Sequence, residues 1–220
     1  MQHYQSTTYT QDQLQISKML RNTYSLLSLI LVAAAVSAYL SMTLITSPIV
    51  AIVLSLVSIG LIFVVQRTAN SASGLFFAML FAVTMGASIG PLLNFYANMP
   101  QGASIITQAF GGTALIFFGL SGFVLSSKKD FSFMRNFLFV GLMVALIASI
   151  ANIFFDIPAL SLAISAAMVL IMSGYILHDT SAIVRGEYDN YIMAAVSLFI
   201  NIFSLFVHLL RLLAAFNSDD

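Results

Sequence analysis

Long apolar runs separated by short polar segments organise the chain, and their period is that of helices rather than strands. The first apolar run covers 24–46, too long for the core of a secretory signal and followed by further runs, so it reads as a first spanning helix. A second run, about 48–66, starts at Pro48, a residue suited to the first turn of a helix. The third, about 74–97, holds Pro91 near its far end, where a kink or break is expected. The remaining runs cover about 104–125, 136–155, 159–184 and 191–216. Each reaches the roughly 20 residues that a bilayer-spanning helix requires. Residues 1–23 are polar and read as a flexible tail, 24–216 as one seven-helix transmembrane domain, and 217–220 as a short C-terminal tail.

Composition settles the solvent. Of 220 residues, 60% are hydrophobic and only 7% charged, against about 25% charged in a soluble domain. Mean hydropathy is +1.00. Such a chain cannot cover a water-facing surface, and its lipid partner is the bilayer itself. Formal net charge is zero, which gives no footing for nucleic acid. With no cysteine there are no disulfides and no thiolate metal sites. There is no tryptophan either, so tyrosines are left as the aromatic interfacial anchors.

Charge placement gives orientation. Lys18, Arg21, Arg67, Lys128, Lys129, Arg135 and Arg185 all fall in the N-terminal tail or the alternate connections on its side, and the opposite loops hold no Lys or Arg. The excess of basic residues on cytoplasmic segments therefore predicts a cytoplasmic N-terminus and a periplasmic C-terminus. Arg211 is the exception, inside the last run. No internal repeat supports an inverted-repeat transporter.

Few polar groups lie within the spans, and they fall in stripes. In the last run Ser197, Asn201, Ser204, His208 and Arg211 share one helical face. In the preceding run Ser161, Ser165, Met168, Met172, Tyr175 and Asp179 share another. Two facing stripes predict a polar seam between the last two helices. The serines are accounted for by interhelical packing. Asp179 is different, because a carboxylate inside a membrane helix is expensive and marks a functional site by default. Counting 1.5 Å per residue from the joining loop puts Asn201 near the depth of Asp179 and Arg211 near the far end. Arg211 either finds a polar partner or snorkels to the outer headgroups.

The residues do not assemble a catalytic pattern. Gly119-Leu-Ser121-Gly122 has the form of an intramembrane serine protease motif, but the companion His and Asn of the second span are missing, and small-residue packing explains it. His178, Asp179 and His208 form a conceivable metal triad, yet His178 points about 100° away from Asp179 on the same helix. Gly86 and Gly90, like Gly111 and Gly112, read as points of close helix approach. No phosphate-binding glycine loop is present. The chain is read as neither an enzyme nor a cofactor or metal binder.

A family resemblance covers nearly the whole chain. The run Gly86-Ala-Ser-Ile-Gly90-Pro91-Leu-Leu93, followed by Ala109, Thr113, Ala114, Leu115 and Phe117, resembles the signature of the Bax inhibitor-1 family. Lys128 to Phe133, Ala151 to Phe154, Asp179 and Leu209 to Arg211 resemble it as well. The tail boundary Leu20 to Leu29, the turn Thr68 to Asn70 and Gly111 to Leu115 are most similar to a bacterial inner-membrane branch. The resemblance implies an all-α integral membrane protein, a seven-transmembrane-helix bundle of that family's type. It implies two functions. Members of the bacterial branch are slow substrates and modulators of the ATP-dependent membrane protease FtsH, and the polar 1–23 tail would be the handle. Calcium-leak members instead pair two aspartates at a cytoplasmic gate as a pH-sensitive latch. Here the first of these matches Asp179, but the second position is Asn201. The acidic residue expected in the second span is also missing, since 48–66 has no Asp or Glu. One carboxylate has no like-charged neighbour to couple with, so the resemblance favours the protease modulator over the leak channel.

Overall fold

The computed structural model describes residues 2–45 and 47–217, with side chains from residue 14 onward. The chain forms α1 (Gln2–Leu44), α2 (Pro48–Thr68), α3 (Ala72–Ser88), α4 (Gly90–Ala97), α5 (Gly102–Ser127), α6 (Met134–Phe155), α7 (Pro158–Val184) and α8 (Tyr191–Asn217). No strand occurs among the described residues. Seven segments are long and apolar enough to cross a membrane, with α3 and α4 together making the third. The break expected at Pro91 falls at Ile89, and Pro91 occupies the first turn of α4, where its missing N–H costs nothing.

The first helix differs from the expected start at Tyr24. Helix continues through Leu14 to Thr23, where Met19 and Leu20 pack against the core and Thr23 is fully buried. For residues 2–23, then, the tail reading is corrected: the backbone is helical from Gln2, and Met19, Leu20 and Thr23 are packed. Gln, Ser and Thr are compatible with a helix end at the membrane surface, and the apolar residues among them supply one packing stripe. The side chains of 1–13, and residues 218–220, lie outside the described set.

The last helix is the hub. Half of the α8 span is buried, 50% against 11% for α2 and for α6. It packs on α7, α5, α1 and α3, while α2 packs chiefly on α3, and α6 on α7. Lipid is as apolar as leucine, so burial of hydrocarbon does not draw helices together; close packing and interhelical hydrogen bonds do. Phe81 of α3 and Phe199 of α8, both 0% exposed, meet edge to face with centroids 5.5 Å apart. The Ser37 hydroxyl of α1 donates to the Val83 carbonyl of α3 at 2.7 Å, and Ser58 of α2 to Thr84 of α3 at 2.9 Å. Peripheral faces carry Phe, Leu and Ile outward, among them Phe63 on α2 and Phe137, Ile147 and Phe154 on α6.

Two glycines set the spacing of α1 against the third span. A Cβ on Gly86 would run into the Ala34 backbone, and one on Gly90 into Ser41. That agrees with the close-approach reading of this pair. Gly111 and Gly112 behave differently: a Cβ on Gly111 would meet nothing within 4 Å, and one on Gly112 only the Leu209 side chain at 3.7 Å. The close-approach reading is corrected for these two, which lie on a face that no neighbouring backbone approaches.

Candidate functional site

The connections at one end carry nearly all the charge, and a network there ties three of them together. Arg185, capping α7, bonds Asp130 of the α5–α6 connection at 2.6 Å and Glu187 at 2.8 Å, and its guanidinium also donates to Ser181. The Ser181 hydroxyl donates to the Lys129 carbonyl at 2.9 Å and accepts from the Phe131 amide at 3.1 Å. The Ser132 amide, donating at 2.7 Å, lowers the Asp130 pKa below its ordinary 3.8, with Arg185 adding to the effect. Its hydrogen bond with Glu187 raises Arg185 and lowers Glu187. Asn190 donates to the Ala69 carbonyl at 2.9 Å and to Asn70 at 2.8 Å, joining the α2–α3 turn to the start of α8. The turn itself needs Gly186, whose φ of 73° is left-handed and ends α7 with the Glu187 amide returning to the Ala182 carbonyl at 2.9 Å.

Just inside this end lies Asp179, 4% exposed. A buried carboxylate must be hydrogen-bonded to remain in place. One oxygen, Oδ2, accepts from the Ser197 hydroxyl at 2.6 Å and from the Asn201 amide at 2.8 Å. The other, Oδ1, lies 3.0 Å from His178 Nδ1. Tyr188 in the connecting loop also faces the carboxylate; burial, then the Asp179 charge, raises its pKa, so it stays a neutral phenol. The two stripes read from the sequence thus meet at Asp179 with Asn201 and Ser197. These donors come from α8, spaced one helical turn apart on a single face.

The other residues of the stripe separate from this cluster. Ser204 lines a cavity of about 640 Å³ that also reaches Asp179 and Asn201. His208 is half-buried with no partner for Nδ1 among the described residues. Arg211 is exposed near the opposite end, with Nη1 3.5 Å from Ser161 of α7. It does not approach Asp179. Among the described residues no three His, Asp or Glu side chains converge. Ser121 is buried and lies 3.3 Å from the Thr180 hydroxyl, a link between α5 and α7. Sequence reasoning passed over His178 as a hydrogen-bond partner, Tyr188, and Arg135 at the mouth of the cavity. Backbone reversal in the 185–190 loop brings Tyr188 under Asp179, which periodicity does not express.

Seven spans around a central last helix, with one buried carboxylate locked between the final two, define a polytopic helical membrane protein built on a polar seam. The profile of the family described as "Inhibitor of apoptosis-promoting Bax1" matches residues 16–218. A membrane protein of Vibrio cholerae is 49% identical over 94% of this chain and 93% of its own length. A Pseudomonas aeruginosa protein is 43% identical over 100% and 99%. The Escherichia coli K12 protein named "Modulator of FtsH protease YccA" is 45% identical over 92% of each chain. The chain belongs to the Bax inhibitor-1 family and is a multi-pass protein of the bacterial inner membrane.

Proposed function

We propose that the chain binds and modulates an FtsH-type membrane protease and is itself a slow substrate of it. The observation that carries this reading is kinship with the Escherichia coli modulator, 45% identity along 92% of both chains. The bundle supplies a physical reason for slow consumption. Pulling it apart requires breaking the Asp179 cluster, the Arg185 network and the helix contacts at Gly86 and Gly90 together. The charged end faces the cytoplasm in this reading, following the placement of Lys and Arg. The N-terminal handle is confined to the residues before Met19, because from there α1 packs on the core. The polar seam of Asp179 with Asn201 and Ser197 serves as the inner lock of the last two helices. The test is affinity purification of the chain from native membranes. Copurification of the protease supports the proposal, and its absence under conditions that keep the bundle intact would sink it.

One observation gives a second reading some footing. Asp179 lies on the wall of the 640 Å³ cavity, as a calcium-leak gate would require. Against it, the residue facing that carboxylate is Asn201, which donates to it and has no charge to share or repel. The leak reading predicts acid-tuned calcium flux in liposomes that Asp179→Asn abolishes. The modulator reading predicts no such flux.

A further inference from the structure

Helix α6, as little buried as α2, leaves a slot beside it. α6 packs on one flank of α7 and α8 on the other, while α6 and α8 barely meet. Between them a strip of α7, with Met168 and Tyr175 half-buried and Met172 buried, forms the floor of the 640 Å³ cavity. Phe139 and Leu142 of α6 form one wall, and Ile200 and Ser204 of α8 the other. A volume in the range of about 300–1,000 Å³ is that of pockets that hold small ligands. The slot runs from Asp179 to Met168, about 16 Å along α7 at 1.5 Å per residue. That is the depth from the headgroups to about the middle of a bilayer.

Its mouth is basic. Arg135, in the first turn of α6, lines the cavity and is exposed, and its side chain makes no hydrogen bond or ion pair among the described residues. Asn136 beside it adds an amide. Deeper in, Asp179 cannot serve as the receptor of a second cation without losing Ser197 and Asn201. The Asp179 carboxyl is an acceptor already filled by these donors, so an anion finds its own donors at the level of Arg135 and Asn136. A basic mouth at headgroup depth, opening sideways to lipid above a largely apolar slot, has the chemistry of an anionic lipid site.

We propose that this slot binds one anionic phospholipid of the leaflet at the charged end, its phosphate on Arg135 and Asn136 and an acyl chain lying over Met172 and Met168. This is independent of the protease reading, since it rests on the α6–α7–α8 arrangement alone. The test is native mass spectrometry of the full chain in detergent, offered equal amounts of phosphatidylglycerol and phosphatidylethanolamine with identical chains. The unaltered protein should retain phosphatidylglycerol about fivefold over phosphatidylethanolamine, the ratio that one arginine contributes near a membrane surface. Arg135→Gln should bring the two to parity, and Arg67→Gln, at the same end but outside the slot, should leave the preference intact. Leu142→Trp should lower retention of both lipids; if it fails to fold, judged by circular dichroism, Ser204→Phe fills the slot from the other wall. An undiminished preference in Arg135→Gln, equal loss in Arg67→Gln, or no retained lipid in the unaltered protein would overturn the proposal.

Discussion

Replacing Asn201 by alanine isolates the bond that joins the last two helices. It removes the 2.8 Å amide donor from a carboxylate that is 4% exposed and leaves Oδ2 with the Ser197 hydroxyl alone. Two magnitudes bear on the outcome. Neutral interhelical hydrogen bonds in membranes average about 0.6 kcal/mol, because the unfolded chain in the bilayer also finds partners. Hydrogen bonds to a charged group are worth about 1.5–3 kcal/mol, and removing a partner leaves the charge under-solvated. Two donors, the Ser197 hydroxyl and the Asn201 amide, converge on Oδ2, the arrangement that solvates a carboxylate, so the second figure governs and Asn201→Ala should destabilise by about 2 kcal/mol. In the D179N background the same change should fall to about 0.6 kcal/mol, the value of an uncharged pair. The assay is unfolding in dodecyl maltoside micelles titrated with dodecyl sulfate, followed by circular dichroism because the chain has no tryptophan. Equal cost in both backgrounds would refute the claim that Asp179 is what Asn201 holds.

Three further outcomes follow from the geometry. Gly86→Val should destabilise the bundle by about 1–3 kcal/mol or prevent folding, because its side chain meets the Ala34 backbone, whereas Gly111→Ala should be near neutral in the same titration. Gly186→Ala forces a left-handed φ of 73° on a residue with a Cβ and should lose about 1–2 kcal/mol, read as a lowered midpoint with unchanged helix content. The folded Asp130 and Glu187 are lowered below their ordinary 3.8 and 4.5, so their contribution is full above those values and is lost as pH falls through the folded ones. Amide protection in the 128–133 and 185–190 segments, taken relative to intrinsic exchange at each pH, should therefore fall below about pH 4 and stay constant across neutrality, and Arg185→Gln should remove the dependence in 185–190 while leaving most of it in 128–133, where the Ser132 amide holds Asp130.

The seven spans were legible because bilayer thickness demands length and apolarity, both plain in the sequence. The break near Pro91 was legible from the missing N–H. So was the depth match of Asp179 with Asn201, since helical rise converts residue number into distance from a shared loop. What stayed hidden had a common cause: inside a membrane, core-facing and lipid-facing positions are equally apolar. The high mean hydropathy of α2 and α6, 2.9 and 2.5, goes with their low burial of 11% each, but nothing in the sequence shows which neighbours α6 leaves uncovered, and so the slot beside it was invisible. Gly86 and Gly111 look alike on paper, yet one meets a backbone and the other open space. At the N-terminus the polar residues masked a helix whose apolar stripe at Met19 and Leu20 packs on the core. The Arg185 network was missed because charges in a short turn read as solvated until a second loop, bearing Asp130, is folded against them.

The central claim is that this bundle occupies and slows a membrane protease. It is tested most directly by the rate at which FtsH in proteoliposomes degrades an independent membrane substrate, with the purified chain present or absent. The account predicts slower degradation with the chain present, relieved when residues 2–13 are deleted, and the chain itself consumed faster once Asn201→Ala loosens the seam. An unchanged rate for the independent substrate, at concentrations where the chain and the protease share one membrane, would contradict it.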